Sequence, residues 1–278
     1  MNRKNRPLTI FLAAMFVIST GNVSAETVVI QNVDYLEDVA YDDDRDMLDI
    51  YMPDGADNVP VVVFFHGGAL RMGSKVQAEH VAGRLVSNGI GLISANYRLS
   101  PTVTHPAHIE DAAAATAWVI ENINQFGGDP ENVFVAGHSS GGYLAALLEI
   151  DSSHLSAHGL GQTSIQGAIP ISPFLYVEET AADRPKDVWG EDPRDWLHAS
   201  VTPHIQAGKG PMLLIYADGD ADWRRAQNDR FGEAMRAAGN EDVRVIEVPN
   251  RDHMSLISKI TDSDDQIIDL MTTFIKEH

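Results

Sequence analysis

The stretch with the clearest chemical spacing is Gly137-His138-Ser139-Ser140-Gly141-Gly142. A serine with glycine two residues before and two after it suits a turn too cramped for a neighbouring Cβ, and such a turn pushes the hydroxyl outward as a nucleophile. An unassisted serine hydroxyl is a poor nucleophile at neutral pH, so a base must take its proton. Histidine is the usual base, with a reference pKa near 6.5. A carboxylate must then hold the imidazole in the correct tautomer. Acyl transfer also needs backbone N–H donors where negative charge develops on the substrate oxygen.

The rest of the chain offers each of these parts. Of eleven histidines, His253 lies in a loop after the last predicted strand, 243–248, and is the candidate base. His138 adjoins the nucleophile but should point away from its side chain. Three aspartates follow the predicted strand 211–217. Asp220, a short turn beyond the strand, is the leading candidate for the acid; Asp222 is second and Asp218 third. The two not used should cap the helix that begins near Trp223. The apolar run Val61-Val62-Val63-Phe64-Phe65 ends in His66-Gly67-Gly68. Two glycines there let N–H groups approach a ligand closely, so Gly67, Gly68 and Ser140 are expected to supply the oxyanion donors. His66 is expected to orient that loop.

These residues need a frame that brings strand ends together. Asn132-Val133-Phe134-Val135-Ala136 reads as a buried strand, and Tyr143 to Glu149 as a helix. Further strands are expected over 26–41, 47–51, 89–96 and 166–172. Helices are expected over 75–88, 109–126, 223–238 and 264–276. Such alternation predicts an α/β fold, a mostly parallel central sheet with helices on both faces. Functional residues in such sheets gather beyond the C-terminal ends of strands. Ser139, Asp220 and His253 all sit there. Residues 173–210 break the alternation just before the penultimate strand and read as a small cap or lid. Leu70, Tyr143, Phe174, Trp189 and Met254 are candidates for the substrate pocket. The acidic run 42–46 reads as a solvated hairpin tip, since its spacing does not fit a calcium loop. His105 and His108 read as surface residues at a helix start, with no third metal ligand apparent. Asp111 is expected to pair with Arg98.

Composition narrows the function further. The net charge is −20, with 40 acidic against 20 basic residues, which disfavours nucleic acid and anionic membranes as partners. There is no cysteine, and so no disulfide, thiolate metal site or cysteine nucleophile. Residues 1–25 have the form of a signal peptide: a basic start at Arg3, Lys4 and Arg6, a short apolar stretch from Leu8 to Ile18, and small residues at Val23-Ser24-Ala25. Cleavage is expected after Ala25, leaving 26–278 as one domain in the periplasm or outside the cell, without a stable membrane anchor.

Several short strings together resemble the α/β-hydrolase esterases. They are Leu48-Asp49-Ile50-Tyr51-Met52-Pro53, His66-Gly67-Gly68-Ala69, Asn96-Tyr97-Arg98-Leu99, Gly128-Asp129-Pro130, the Ser139 hexapeptide and Asp252-His253. The branches they resemble are the BD-FAE-type carboxylesterases and the kynurenine formamidase group, relatives of the hormone-sensitive-lipase-like esterases. The resemblance implies an α/β-hydrolase fold and serine-hydrolase chemistry on a small-molecule ester. It implies no metal or organic cofactor. Leu70 stands where the group often has tryptophan, Ser140 where it often has alanine, and Ala69 replaces a third glycine. None of these removes a catalytic group. Amide hydrolysis by the same residues, as in an aryl formamidase or a peptidase, is the alternative within enzymes. A non-catalytic binding protein on this scaffold is the alternative outside them.

Overall fold

Eight strands build one sheet: β1 (Thr27–Asp34), β2 (Met47–Pro53), β3 (Val59–Phe65), β4 (Gly91–Ala95), β5 (Gly128–His138), β6 (Gly167–Ile171), β7 (Met212–Ala217) and β8 (Val243–Val248). The structure is a computed structural model that describes residues 26–36, 41, 43–180, 184–262 and 265–278. The expected signal peptide, part of the acidic run, and the start of the helix expected over 264–276 lie outside the described residues. The strand order is β1-β2-β4-β3-β5-β6-β7-β8. β1 and β2 are antiparallel to each other, and β2 to β4, while every pairing from β4 to β8 is parallel.

The helices are α1 (Glu79–Val86), α2 (Ala107–Asn122), α3 (Ser140–Ile150), α4 (Ser153–Ser156), α5 (Arg184–Trp189), α6 (Pro193–Ala199), α7 (Asp222–Ala237), α8 (Ser255–Ser258) and α9 (Gln266–Glu277). A strand covered on both faces should be apolar throughout rather than alternating. The run Val61 to Phe65 obeys this, and its pleat divides it. Val61, Val63 and Phe65 join one core with α2, α3 and α7, whereas Val62 and Phe64 join a second core with α1 and α9. Each fully buried side chain of this size contributes roughly 1.5–3 kcal/mol. The central strands are therefore firmly held, and their C-terminal ends are a rigid platform.

Several expectations change on folding. The helix expected over 75–88 begins as a 3-10 turn, Lys75–Ala78, before α1. Lys75 is drawn inward there, its ammonium 2.6 Å from the buried Asp49 carboxylate. His108 is buried, with its Nε2 3.1 Å from Ser100 Oγ, so it is not a surface residue. Within the acidic run, Asp43 and Asp44 are exposed, but Asp46 is buried and accepts a hydrogen bond from the Tyr41 N–H at 3.0 Å. The hairpin tip is thus pinned from inside.

Residues 173–210 carry α5 and α6, and they pack against the first core. Tyr143 stacks on Phe174 at 4.7 Å between centroids, and Trp189 meets Phe174 edge-on at 5.5 Å. The Tyr143 hydroxyl donates to the Ala199 carbonyl at 2.7 Å, tying α3 to the end of α6. Leu70, Tyr143, Phe174 and Trp189 keep 0–2% of their surface exposed, so in this conformation they form core rather than a wall open to substrate. Their aromatic and aliphatic bulk is what fastens the segment to the sheet. Of the five pocket candidates, only Met254 is exposed.

Candidate active site

The nucleophile turn follows from the packing around two glycines. A Cβ on Gly137 would lie 2.4 Å from the Gly141 carbonyl carbon, and one on Gly141 would lie 1.9 Å from the Phe65 carbonyl oxygen. Only glycine fits between β5, α3 and the end of β3. Ser139 itself adopts φ 55° and ψ −114°, a strained conformation for a non-glycine residue. Its N–H donates to the Ile171 carbonyl of the neighbouring strand at 2.8 Å. α3 starts at the next residue, so its N-terminal N–H groups and positive dipole end face the serine.

His253 comes from the loop after β8 and Asp220 from the loop after β7. The structure brings both to Ser139. Ser139 Oγ lies 3.0 Å from His253 Nε2, and His253 Nδ1 lies 2.8 Å from Asp220 Oδ1. With the Nδ1 hydrogen directed at the carboxylate, Nε2 presents a lone pair to the serine hydroxyl. Asp220 is buried. Burial pushes its carboxyl up, but hydrogen bonds from His253, the Ala217 N–H and Ser172 outweigh it and hold the group below the ordinary aspartate value.

Neither of the other two aspartates caps α7, contrary to the sequence reading. Ala221 is the N-cap residue, without a side-chain bond, because the chain enters the helix directly from the Asp220 turn. Asp218 instead accepts from the Asn250 and Arg251 N–H groups at 2.9 and 3.2 Å, bracing the loop that carries His253. Asp222 is exposed and lies 3.8 Å from Arg225.

Gly67 lies against the nucleophile: a Cβ there would be 3.1 Å from the His138 carbonyl and 3.4 Å from Ser139 Cβ. Gly68 has φ 128°, and a Cβ on it would strike the Met72 carbonyl at 2.0 Å. The loop is fixed from behind by His66. The His66 Nδ1–H donates to the Gly67 carbonyl at 2.8 Å, and its ring stacks on Tyr97 at 4.3 Å. The Tyr97 hydroxyl donates to the His66 carbonyl at 2.8 Å. Burial lowers the His66 pKa to about 4, so the imidazole is a neutral, oriented donor. Among the described residues, nothing accepts from the N–H groups of Gly67, Gly68 or Ser140. These N–H groups are candidates to satisfy an oxyanion.

Two contributors escaped the sequence reading. His138, expected only to point away from the Ser139 side chain, packs against the proposed base. Its Nε2–H donates to the His253 carbonyl at 2.8 Å, and the two rings lie 4.7 Å apart. Burial, and then the neighbouring His253, lower the His138 pKa to about 3, so it holds the base's backbone as a neutral donor. The second is Ser172, immediately after β6. Its Oγ lies 2.8 Å from both Asp220 Oδ2 and His253 Nδ1. The one signal for it was a polar residue ending a central strand beside the nucleophile strand.

A mostly parallel eight-stranded sheet with Ser139, Asp220 and His253 at its strand ends defines an α/β-hydrolase. Residues 48–183 match the family described as BD-FAE, and the sheet and its helices have the α/β-hydrolase fold. It is 32% identical to Esterase LipQ of Mycobacterium tuberculosis over 232 residues, 75% of this chain and 54% of LipQ. Kynurenine formamidase of Salmo salar is 24% identical, across 81% of this chain and 76% of that protein. The solved structure of a truncated carbohydrate esterase from gut microbiota aligns with a TM-score of 0.76 at 23% identity, covering 90% of this chain and 95% of that one; it speaks for the fold alone. The chain spans about half the length of three mycobacterial relatives it matches, LipQ, LipC and LipM, at 54%, 57% and 49%.

Proposed function

We propose that this protein is a serine carboxylic-ester hydrolase that works through an acyl-enzyme on Ser139. The observation that carries the reading is the continuous path from Ser139 Oγ through His253 to Asp220, at 3.0 and 2.8 Å. Ser139 Oγ attacks the ester carbonyl carbon while His253 Nε2 takes the hydroxyl proton. The Gly67, Gly68 and Ser140 N–H groups receive the oxyanion. Collapse of the tetrahedral intermediate breaks the bond to the alcohol oxygen, which leaves with the proton from His253. Water, deprotonated by the same imidazole, then releases the acid and restores the serine. The buried, ionised Asp220 holds the Nδ1 hydrogen in place and stabilises the imidazolium as it forms.

The substrates we propose are short-chain or aryl esters. Met254 adjoins His253, Trp223 follows Asp220 at the start of α7, and Met72 closes the Gly68 turn; all three are exposed apolar side chains. They suit a small apolar group lying at an open mouth rather than in a deep channel. Residues 1–25 support export to the periplasm or beyond, with 26–278 acting as one hydrolase domain. The cap we assign to 173–210 is anchored, in its described part, by Phe174 and Trp189.

The deciding experiment is turnover of a p-nitrophenyl ester series, from acetate upward, with Ser139→Ala alongside. Fast cleavage of the short esters, reduced by at least about four orders of magnitude in the variant, is expected. Failure of the wild type on every ester, with cleavage of N-formylkynurenine, would move the assignment to an amide hydrolase.

A further inference from the structure

Ser172 occupies an unusual place. It is fully buried, and it adopts φ 48°, in the left-handed region that disfavours a serine and suits a glycine. A turn needing only that shape would be served by glycine. The serine is held there on every side. Its N–H donates to the Ile215 carbonyl of β7 at 2.6 Å, and its carbonyl accepts from Arg224 Nη1 of α7 at 2.7 Å. Its hydroxyl is thereby aimed at the acid and the base together.

The proton count at this point has one solution. The ionised Asp220 carboxylate only accepts, so the Ser172 hydroxyl hydrogen goes to Asp220 Oδ2 at 2.8 Å. The Ser172 oxygen then keeps its lone pairs for His253. The His253 Nδ1 hydrogen meets two acceptors at equal range, Asp220 Oδ1 at 2.8 Å and Ser172 Oγ at 2.8 Å. We infer that Ser172 is a positioning residue that shares the His253 Nδ1 hydrogen with Asp220, so that base and acid are clamped by a closed three-membered ring of hydrogen bonds. This rests on the triad reading above.

The ring does two things. It fixes the imidazole plane from two directions, which a single carboxylate contact cannot do. It also offers a second oxygen to Nδ1–H as the ring becomes cationic, when that donor is strongest. The charged and titratable groups that face His253 are Asp220 from the β7 loop, His138 from the end of β5, and Arg224 of α7 packed behind Asp220; Asp252, the next residue back on its own loop, is turned to the Met254 and Ser255 N–H groups. All of them survive in a Ser172 variant, so a change in pH dependence reports the lost hydroxyl.

The test uses Ser172→Gly, since glycine adopts the same φ without strain. Ser172→Cys is the companion, keeping side-chain shape with a weaker acceptor. With p-nitrophenyl acetate, Ser172→Gly should lower kcat about tenfold to fiftyfold with KM within a factor of two. The pH at which kcat/KM reaches half its plateau should fall by about half a unit, because the imidazolium has lost an acceptor. Ser172→Cys should move both in the same direction by less, and it carries the test alone if the glycine variant is insoluble. A kcat within twofold of wild type, or a half-plateau pH that stays put or rises, would overturn the inference. Wild-type inactivity on every ester is a different outcome, since it removes the esterase reading before Ser172 is addressed.

Discussion

The two halves of the proposed active site are held in opposite ways. The residues of the nucleophile half are contiguous: Gly137, Ser139 and Gly141 lie within five residues, and the turn's shape is enforced by backbone atoms, of Gly141 and of Phe65 at the end of β3, that leave no room for a Cβ. The base half is distributed. His253 is held by Asp220, Ser172 and His138, which lie 33, 81 and 115 residues away, and its loop by Asp218 at 32 and 33 residues' separation. Steric exclusion fixes the first; side-chain hydrogen bonds fix the second. The first should therefore fail abruptly on small substitutions, and the second by degrees.

The most severe loss is expected at Gly141→Ala. The added methyl would sit 1.9 Å from the Phe65 carbonyl oxygen, a backbone atom in a central strand. At least about 3 kcal/mol of stability should go, visible as a large fall in melting temperature or as insoluble protein. A variant that melts like wild type would show that the turn can relax, and the contrast between the halves would collapse.

On the distributed side, Asp220→Asn should keep the fold and lower kcat by about three to four orders of magnitude, since the amide favours the wrong imidazole tautomer. Asp222→Asn should stay within twofold of wild type, as that side chain lies in solvent. Steady-state kinetics on p-nitrophenyl acetate checks both, and the reverse ranking would reassign the acid.

The smallest effect concerns His138 and acid. Desolvation lowers the pKa values of His66 and His105 to about 4 and of His108 and His138 to about 3. Their unfolded values lie near 6.5. Between these limits the unfolded chain binds more protons, so stability is full above about pH 6.5 and is lost as pH falls toward 4 and 3. Melting curves from pH 7 to 4.5 should show that decline. His138→Phe should make it shallower, and should lower kcat about tenfold through the freed His253 carbonyl. An unchanged slope in the variant would remove His138 from the set of buried neutral histidines.

Much of this was readable from residue patterns because they are local. Continuous apolar runs announced the buried strands, and the alternation with helices announced the sheet. The spacing around Ser139 announced the turn. The cap segment was read less well. Its tryptophans and prolines signalled an interruption, but whether Phe174 and Trp189 faced a ligand or each other depended on α3 lying beneath them. His108 and Asp46 looked like surface residues because polarity alone does not reveal a buried partner such as Ser100 or the Tyr41 N–H.

By itself, then, the amino-acid order marked the strands, the glycine-flanked serine turn, the glycine-rich loop and the groups able to react, because each of these signals is carried by a few consecutive residues. Only the tertiary structure decided which aspartate meets His253, what holds that histidine's loop, and that Ser172 joins it. Those contacts run between strand ends far apart in the chain, and no short-range rule couples them until the parallel sheet sets β5, β6, β7 and β8 side by side.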